Sequence, residues 1–299
     1  MLPCDWEMTS VSEDHSKKSD DVTGQESPPE EASTVSVIVD QVVTLVIAIT
    51  IALAIRHFMV EPFRIPSGSM FPTLLIGDHL FVNKLAYGPT VPFTDLRFPG
   101  WREPERGDVV VFEVARPGGR TILPVDRAPE GARTEDFVKR LVGLPGDRIS
   151  WSGRQVFVNK VPLDMDLLEE PFVDDSGHRY SMSFENLGAC RHAVLHDRGA
   201  SDPKFDRGTY VVEAGRYFMM GDNRDNSNDS RNWHTVRLQE MKGPAFILYW
   251  SWDVNANMLS FFWPPNWWNA NKRWERIFQR VKCDPVEAGG ATVPNGLPG

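Results

Sequence analysis

The sequence has 299 residues, of which 41% are hydrophobic and 24% are charged, and its formal net charge is −9. This composition excludes a fully disordered, a collagen-like and a multi-span membrane protein, and it lacks the basic excess typical of nucleic-acid-binding proteins. Three cysteines without a CxxC pair exclude a disulfide-dense scaffold and a zinc ribbon. They leave open whether Cys190 and Cys283 form a disulfide or remain two buried thiols.

The acidity is concentrated in residues 1–34, which contain nine acidic residues and two lysines. Large apolar side chains are almost absent from this segment. It cannot bury enough apolar surface to offset the entropy lost on ordering, so we predict a disordered acidic tail.

An apolar segment follows the tail. Residues 35–55 contain Asp40 as their one charge, and a helix of this length spans about 30 Å, the thickness of a bilayer core. The alternatives are a buried core helix or a signal peptide, but no small-x-small cleavage site follows before Arg56. We therefore predict one transmembrane helix over residues 35–58. Lys17 and Lys18 lie on one side of the apolar run 35–55 and Arg56 and Arg64 on the other, so the flanking charges do not orient the helix.

Beyond the helix, β-branched and aromatic runs bounded by Gly and Pro predict mainly β structure. Single strands are predicted over residues 80–82 and 108–114. Two hairpins are predicted, one turning at Ser152-Gly153 between residues 149–151 and 155–158, the other turning at Ala214-Gly215 between residues 210–213 and 217–220.

Two further regions have a distinct character. Residues 160–209 are polar and irregular, and their histidines, His178, His192 and His196, lack metal-ligand spacing, which indicates surface histidines of an inserted subdomain. Near the C-terminus, residues 266–282 repeat apolar side chains at helical spacing with five basic residues between them. This pattern predicts an amphipathic helix, either at a membrane interface or packed on its own domain. Residues 284–299 are predicted to be a flexible end.

The first segment that could carry chemistry is residues 63–74, in which two prolines bracket Ser67-Gly68-Ser69. Such a frame can hold a hydroxyl and its backbone N–H in a fixed direction. Ser, Gly and Pro clusters are also common in ordinary turns.

The second segment is residues 136–147, in which Lys139 lies among apolar residues of a predicted strand that ends at a Pro-Gly turn. Desolvation lowers the pKa of a lysine, and a neutral amine can act as general base on a serine hydroxyl. The alternative is a solvated lysine on the outer face of a strand.

The third segment is residues 221–231, eleven residues without an apolar side chain. It fails as an EF-hand loop starting at Asp225, since Ser230 stands where glycine is required and Val236 where glutamate is required. No GxSxG, HExxH or Walker A pattern occurs in the chain. Because no histidine lies in any of the three segments, a Ser-Lys pair fits better than a Ser-His-Asp triad.

Taken together, these segments resemble the type I (leader) signal peptidases of bacteria. Four blocks occur in that family's order behind an apolar helix, and the resemblance covers about residues 60–250. The blocks are PSGSM-x-PTL from Pro66, GD-x-x-FVNK from Gly77, KR-x-VGLPGD from Lys139 and GDNRDNS-x-DSR from Gly221.

The resemblance implies a mainly β fold: a barrel-like catalytic β domain, residues 59–150 and 215–283, with a smaller inserted antiparallel β domain, residues 151–214, after one transmembrane helix. It implies Ser69 as nucleophile and Lys139 as general base. Ser67 would contribute to the oxyanion hole, Ser227 would hydrogen-bond and orient the Lys139 amine, and Asp229 and Arg231 would brace the site. Shallow pockets for small side chains would be lined by Phe63, Ile65, Met70, Leu74, Leu80, Val111, Phe137 and Val138.

The implied activity is cleavage of signal peptides from exported preproteins after small-x-small sites, without a metal or organic cofactor. The implied location is the bacterial inner membrane, with the tail cytoplasmic and the catalytic domain on the outer, periplasmic face. The partners would be preprotein signal peptides, the lipid bilayer and the secretion translocase, and no nucleic acid. Two alternatives remain: a specialised Ser-Lys processing peptidase with few substrates, and a catalytically silent, membrane-tethered peptide-binding β domain.

Overall fold

The structure is a computed structural model that describes residues 34–91, 94, 96–119, 121–197, 207–252, 273–281 and 283–285. The predicted disordered tail, residues 1–34, lies outside the described residues apart from the backbone of Thr34. Residues 266–272 of the predicted amphipathic helix and residues 286–299 of the predicted flexible end also lie outside them.

The N-terminal described element is helix α1, Thr34–Phe58. Its valine, leucine and isoleucine side chains are exposed on every side, and the apolar stretch Val35–Phe58 reaches a mean hydropathy of 2.4. A helix that is apolar all round is typical of a membrane span or the core of a large protein. By length and composition, α1 can cross a membrane, as the sequence predicts.

Strands dominate the rest of the described chain, together with short helices α2, Lys84–Tyr87, and α3, Ser230–Trp233. In chain order the strands are β1 Val60–Arg64, β2 Asp78–Asn83, β3 Val109–Gly118, β4 Thr121–Leu123, β5 Arg133–Gly143, β6 Arg148–Ser152, β7 Gln155–Val158, β8 Val161–Pro162, β9 Met165–Leu167, β10 Phe172–Val173, β11 Arg179–Leu187, β12 Cys190–Asp197, β13 Arg207–Val211, β14 Arg216–Met220, β15 Thr235–Arg237, β16 Met241–Ser251 and β17 Asp284–Pro285. The prediction of a mainly β fold after one apolar helix is confirmed.

The largest sheet has the order β1-β2-β16-β3-β5-β14-β15, with β4 beside β3, and its strands are antiparallel. Strand β3 is covered on both faces. Val109 and Val111 pack into one core cluster with Leu74 and Leu80, whereas Phe112 and its even-numbered neighbours pack into another. Burial on both faces explains why the run predicted as a strand over residues 108–114 is continuously apolar rather than alternating.

Two smaller antiparallel sheets complete the fold. One has the order β13-β6-β7-β8, the other β10-β11-β12-β17 with β9 beside β11. The hairpin predicted at Ser152-Gly153 is confirmed, since β6 and β7 pair across it. The hairpin predicted at Ala214-Gly215 is wrong: β13 pairs with β6, whereas β14 pairs with β5 and β15. Buried Val212, bonded through its backbone to Gly146 and Asp147, carries the chain from one sheet to the other.

The region predicted as polar and irregular contains regular strands, of which β11 and β12 form a long hairpin. His178 is exposed, but His192 and His196 are buried, so the prediction that all three histidines lie on the surface is wrong for two of them. The cause is that β12 is covered on both faces. Ala193 and Leu195 pack into an apolar cluster, whereas His192 and His196 face the acidic side chains Glu185, Asp222 and Asp225.

The C-terminal described residues run along the edge of the large sheet. Phe278 N donates to Leu248 O, and Val281 N donates to Phe246 O. The prediction of a helix over residues 266–282 is therefore wrong for residues 273–281, which form the 3-10 turn Trp274–Arg276 followed by extended chain. Beyond that turn their backbone groups bond to β16, so this part packs on its own domain.

The structure also decides between a disulfide and two buried thiols. Cys190 and Cys283, 93 residues apart in sequence, form a disulfide. It ties the short strand β17 to its partner β12. Residues 283–285 are thus fastened to the same hairpin that carries the buried histidines.

Candidate active site

Ser69 lies in the 3-10 turn Gly68–Met70, directly after β1. The side chain and backbone of Asn223 hold this turn: Nδ2 donates to Gly68 O at 3.0 Å, and the backbone N–H donates to Ser69 O at 3.2 Å. The third segment of the sequence therefore fixes the backbone of the first. Sequence reasoning missed Asn223, although it stands inside a motif that had been singled out.

Lys139 lies on β5 opposite Val110 of β3. Its Nζ is 2.6 Å from Ser69 Oγ and 3.1 Å from Val138 O. The side chain is 3% exposed, which confirms the prediction of a desolvated lysine over the alternative of a solvated one. Two residues that are 70 positions apart in sequence thus form a Ser-Lys pair.

The electrostatics of the pair favour a neutral amine. Burial lowers the pKa of Lys139 to about 8, opposed by the negative charges of Asp229 and Asp222 and assisted by the positive charge of Arg231. A lysine with this pKa is neutral in a substantial fraction of molecules near physiological pH. It can accept a proton from a hydroxyl that it already contacts.

Ser67 and Ser227 are placed differently from each other. The Ser67 hydroxyl is exposed and lies 3.5 Å from Ser69 Oγ, at the opening of the site. Ser227 is fully buried, and its Oγ has no hydrogen-bond partner among the described residues. The hydrogen bond from Ser227 to the Lys139 amine, expected from the family resemblance, is therefore absent from this structure. Ser227 packs against Gly221 instead, on the side of Gly221 that also faces Ser69 O.

Asp229 and Arg231 form a buried pair next to the site. Arg231 donates from Nε and Nη2 to the two carboxylate oxygens of Asp229, each at 2.8 Å, and Asp229 also accepts from Gly221 N at 3.0 Å. Burial alone would raise the pKa of Asp229, but the charge and hydrogen bonds of Arg231 keep it below its ordinary value. The carboxylate is therefore ionised and anchors the start of the 221–231 segment.

A second buried pair lies beside Lys139. Arg140 binds Asp222 through two hydrogen bonds of 2.8 and 2.6 Å, and Asp222 also accepts from Thr73 Oγ1 at 2.6 Å. Both charged side chains are 1% exposed. The pair joins all three segments singled out in the sequence, and sequence reasoning did not assign it a role. Its signal was the adjacency of Arg140 to Lys139.

A cavity of about 580 Å³ opens over Ser69 and Lys139. Of the residues predicted to line the pockets, Phe63, Ile65, Met70, Phe137 and Val138 do so. Leu74, Leu80 and Val111 do not reach the cavity but form the buried cluster beneath it. The lining that sequence reasoning missed is partly charged, with Arg64, Arg116, Glu135 and Asp136, and also includes Asn228, Pro66 and Ile122. Among the described residues, no group of three or more His, Cys, Asp or Glu side chains is placed to hold a metal ion.

Comparisons with known proteins identify the family of the chain. The family described as signal peptidase, peptidase S26, matches residues 38–250. Signal peptidase I of Pseudomonas fluorescens is 39% identical over 214 residues, which cover 68% of this chain and 69% of that protein. Signal peptidase I of Haemophilus influenzae is 32% identical over 265 residues, covering 78% of this chain and 73% of that protein.

One solved structure, a signal peptidase I from Enterococcus faecalis V583, is 21% identical and covers 48% of this chain and 96% of its own, with a TM-score of 0.25. That superposition is too poor to bear on the fold. The family match spans more than half of the chain, and the two relatives are 39% and 32% identical across more than two thirds of it. The chain therefore belongs to the signal peptidase family, peptidase S26, whose members are serine endopeptidases.

Proposed function

We propose that this protein is a membrane-anchored endopeptidase that removes signal peptides from exported preproteins, with Ser69 as nucleophile and Lys139 as general base. One observation carries the proposal: the 2.6 Å contact between Lys139 Nζ and Ser69 Oγ in the wall of an open cavity. A silent peptide-binding domain would have no use for a buried amine at this distance, because burial of an amine is unfavourable.

The proposed chemistry is acyl transfer. Neutral Lys139 accepts the Ser69 proton as Ser69 Oγ attacks the scissile carbonyl, and the oxyanion is stabilised by the Ser67 hydroxyl and the Ser69 backbone N–H. Protonated Lys139 then donates to the leaving amine, and water releases the acyl group. Asp229 and Arg231 brace the backbone behind the site. Ser227 would hydrogen-bond Lys139 only after a rearrangement, since its hydroxyl is unpartnered in this structure.

An extended peptide can be held between two free strand edges. Within the described residues, β1 pairs only with β2, and residues 133–139 of β5 pair only with β3. The cavity is lined by residues 63–67 on one side and 135–139 on the other. Backbone groups along both edges are therefore available to a substrate strand, a mode of recognition that reads side chains at alternate positions.

Small side chains at alternate positions suit the apolar part of this cavity. Ile65 and Met70 are buried against the cluster that contains Leu74 and Leu80. The apolar surface of the cavity therefore cannot shift to make room for a larger substrate side chain. Replacing alanine by leucine at position −1 or −3 of a preprotein is expected to lower kcat/KM by about 10–200-fold. The same replacement at position −2 serves as the control. Equal cleavage of all three substrates would contradict the proposed small-x-small specificity.

The pH dependence tests the base. Because the reaction requires neutral Lys139, kcat/KM is expected to rise about tenfold per pH unit well below pH 8 and to level off above an apparent pKa of about 8. The profile is measured with a peptide substrate that has no titratable group near its cleavage site. The apparent pKa of kcat/KM then reports Lys139 in the free enzyme. A rate that kept climbing until the ordinary lysine pKa of 10.5 would contradict a desolvated base.

The proposed location is the bacterial inner membrane, with α1 as the span, the N-terminal tail cytoplasmic and residues 59–299 on the outer face. The Cys190–Cys283 disulfide supports this orientation, because disulfides persist in oxidising compartments and are rare in the cytosol. We propose that residues 59–150 and 215–283 form the catalytic domain, that residues 151–214 form the inserted one, and that the bilayer and the secretion translocase are partners.

Depletion of a general enzyme would accumulate many preproteins, whereas depletion of a specialised peptidase would accumulate few.

A further inference from the structure

A charged cluster is buried between the hairpin β11–β12 and the segment 221–231. Glu185 of β11 accepts two hydrogen bonds from Arg224, from Nη1 at 2.7 Å and from Nη2 at 2.5 Å. Glu185 is 0% exposed and Arg224 is 2% exposed. His192 of β12 lies beside the pair, its Nε2 3.6 Å from Glu185 and 3.8 Å from Asp222.

A single residue, Gly221, lies between this cluster and the backbone of Ser69. Arg224 Nε donates to Gly221 O at 3.2 Å, and the Cα of Gly221 faces both Ser69 O and Ser227. On the other side of the same loop, Leu195 N donates to Asp222 O at 2.8 Å. The β11–β12 hairpin thus contacts residues 221–224 in two ways, through the Glu185 side chain and through the Leu195 backbone.

The physical role of such a pair is geometric rather than stabilising. Burying two charges costs desolvation that their attraction barely recovers, so an apolar pair of similar volume is often as stable. A bidentate carboxylate, by contrast, fixes both the position and the plane of a guanidinium. Here it fixes the plane that presents Nε to Gly221 O.

The neighbouring histidine leaves that geometry undisturbed. Burial, with the positive charges of Arg140 and Arg224, keeps the pKa of His192 well below its ordinary value, so its ring is neutral. A neutral ring does not compete with Arg224 for Glu185. The Glu185 carboxylate therefore keeps both of its hydrogen bonds to Arg224.

We propose that Glu185, outside the motifs that mark the family, is a positioning residue for cleavage: through Arg224 it holds Gly221 and thereby the backbone of Ser69 in register with Lys139. The inserted hairpin is then part of the catalytic apparatus. This inference rests on the proposed Ser69–Lys139 mechanism.

The test compares three variants of the full-length protein in detergent: Glu185→Gln, the double variant Glu185→Gln/Arg224→Gln, and the control Asp166→Asn. Asp166 pairs with Arg191 at the exposed side of the same hairpin, at 3.0 Å. For each variant, kcat and KM on a preprotein and the thermal unfolding midpoint are measured. Glu185→Gln is expected to lower kcat about tenfold or more with KM within about twofold, because the unpaired guanidinium pulls on residues 221–224. The control is expected to retain kcat.

The double variant separates positioning from stability. It buries no unpaired charge, so its unfolding midpoint is expected to recover relative to Glu185→Gln, whereas kcat is expected to stay low because Gly221 O has lost its charged donor. Recovery of kcat together with the midpoint would overturn the proposal, as would an unchanged kcat in Glu185→Gln. If neither variant folds, the pair is a folding element and the proposal is also rejected. Retained activity in a Ser69→Ala variant would instead reject the underlying mechanism.

Discussion

Replacing Ser69 by alanine or Lys139 by methionine is expected to lower kcat/KM for preprotein cleavage by about 10⁴-fold or more, because residues of a nucleophile–base pair act as one unit. Methionine is unbranched like lysine and only one atom shorter, so the buried site next to Phe137 remains largely filled. Ser69→Ala is expected to keep the wild-type unfolding midpoint. Lys139→Met is expected to keep or exceed it, because an amine that is unfavourable to bury has been removed.

The matched control is Lys84→Met. Lys84 pairs with Glu61 at 3.0 Å and does not line the cavity over Ser69. Its replacement is expected to change kcat/KM by less than about twofold, because Lys84 is not among the residues that line the cavity. Cleavage by folded Lys139→Met at more than about a tenth of the wild-type rate would show that another group serves as base.

Replacing Gly221 by alanine is expected to lower kcat/KM by about 10–100-fold. A Cβ at this position would lie 2.3 Å from Ser227 Oγ and 2.6 Å from Ser69 O, and the second of these is a backbone atom that can move only with Ser69. Displacing a reacting group by a fraction of an ångström to 1 Å can reduce a rate by up to about 10²-fold. The variant is also expected to lose about 1–3 kcal/mol of stability through overpacking.

Gly118→Ala is the control for this substitution. Gly118 ends β3, and no atom lies within 4 Å of the position its Cβ would take. The control is expected to match the wild type in both rate and unfolding midpoint. A Gly221→Ala enzyme with wild-type kcat/KM would show that the backbone of Ser69 tolerates displacement, which would also weaken the role proposed for Glu185.

Local sequence was sufficient to predict several features. The apolar neighbours of Lys139 predict its burial, and the apolar segment after residue 34 predicts α1, because in both cases the physical cause lies within a few residues. The pairing of Lys139 with Ser69 depends on how distant strands meet. It could be anticipated only from the order of the four motifs, not from the spacing of the two residues.

The errors share a cause, which is that tertiary contacts override local pattern. Gly215 marks a turn, but the strands beside it belong to different sheets: β13 pairs with β6, whereas β14 pairs with β5 and β15. His192 reads as a surface residue in a polar segment, yet both faces of β12 are covered. Ser227 was assigned a hydrogen bond from the family pattern, and its buried hydroxyl instead packs against Gly221. The contacts that bury Val212 and His192 involve residues distant in sequence, such as Asp147 and Asp222.

The central claim is that Ser69 and Lys139 cleave signal peptides after small-x-small sites, and sequencing the new N-terminus of a cleaved preprotein tests it most directly. Detergent-solubilised wild type, Ser69→Ala and Lys139→Met would be incubated with the same preprotein. We expect one new N-terminus, directly after a small residue that has another small residue two positions before it, with the wild type alone. Cleavage elsewhere, or the same product from folded Ser69→Ala, would contradict it.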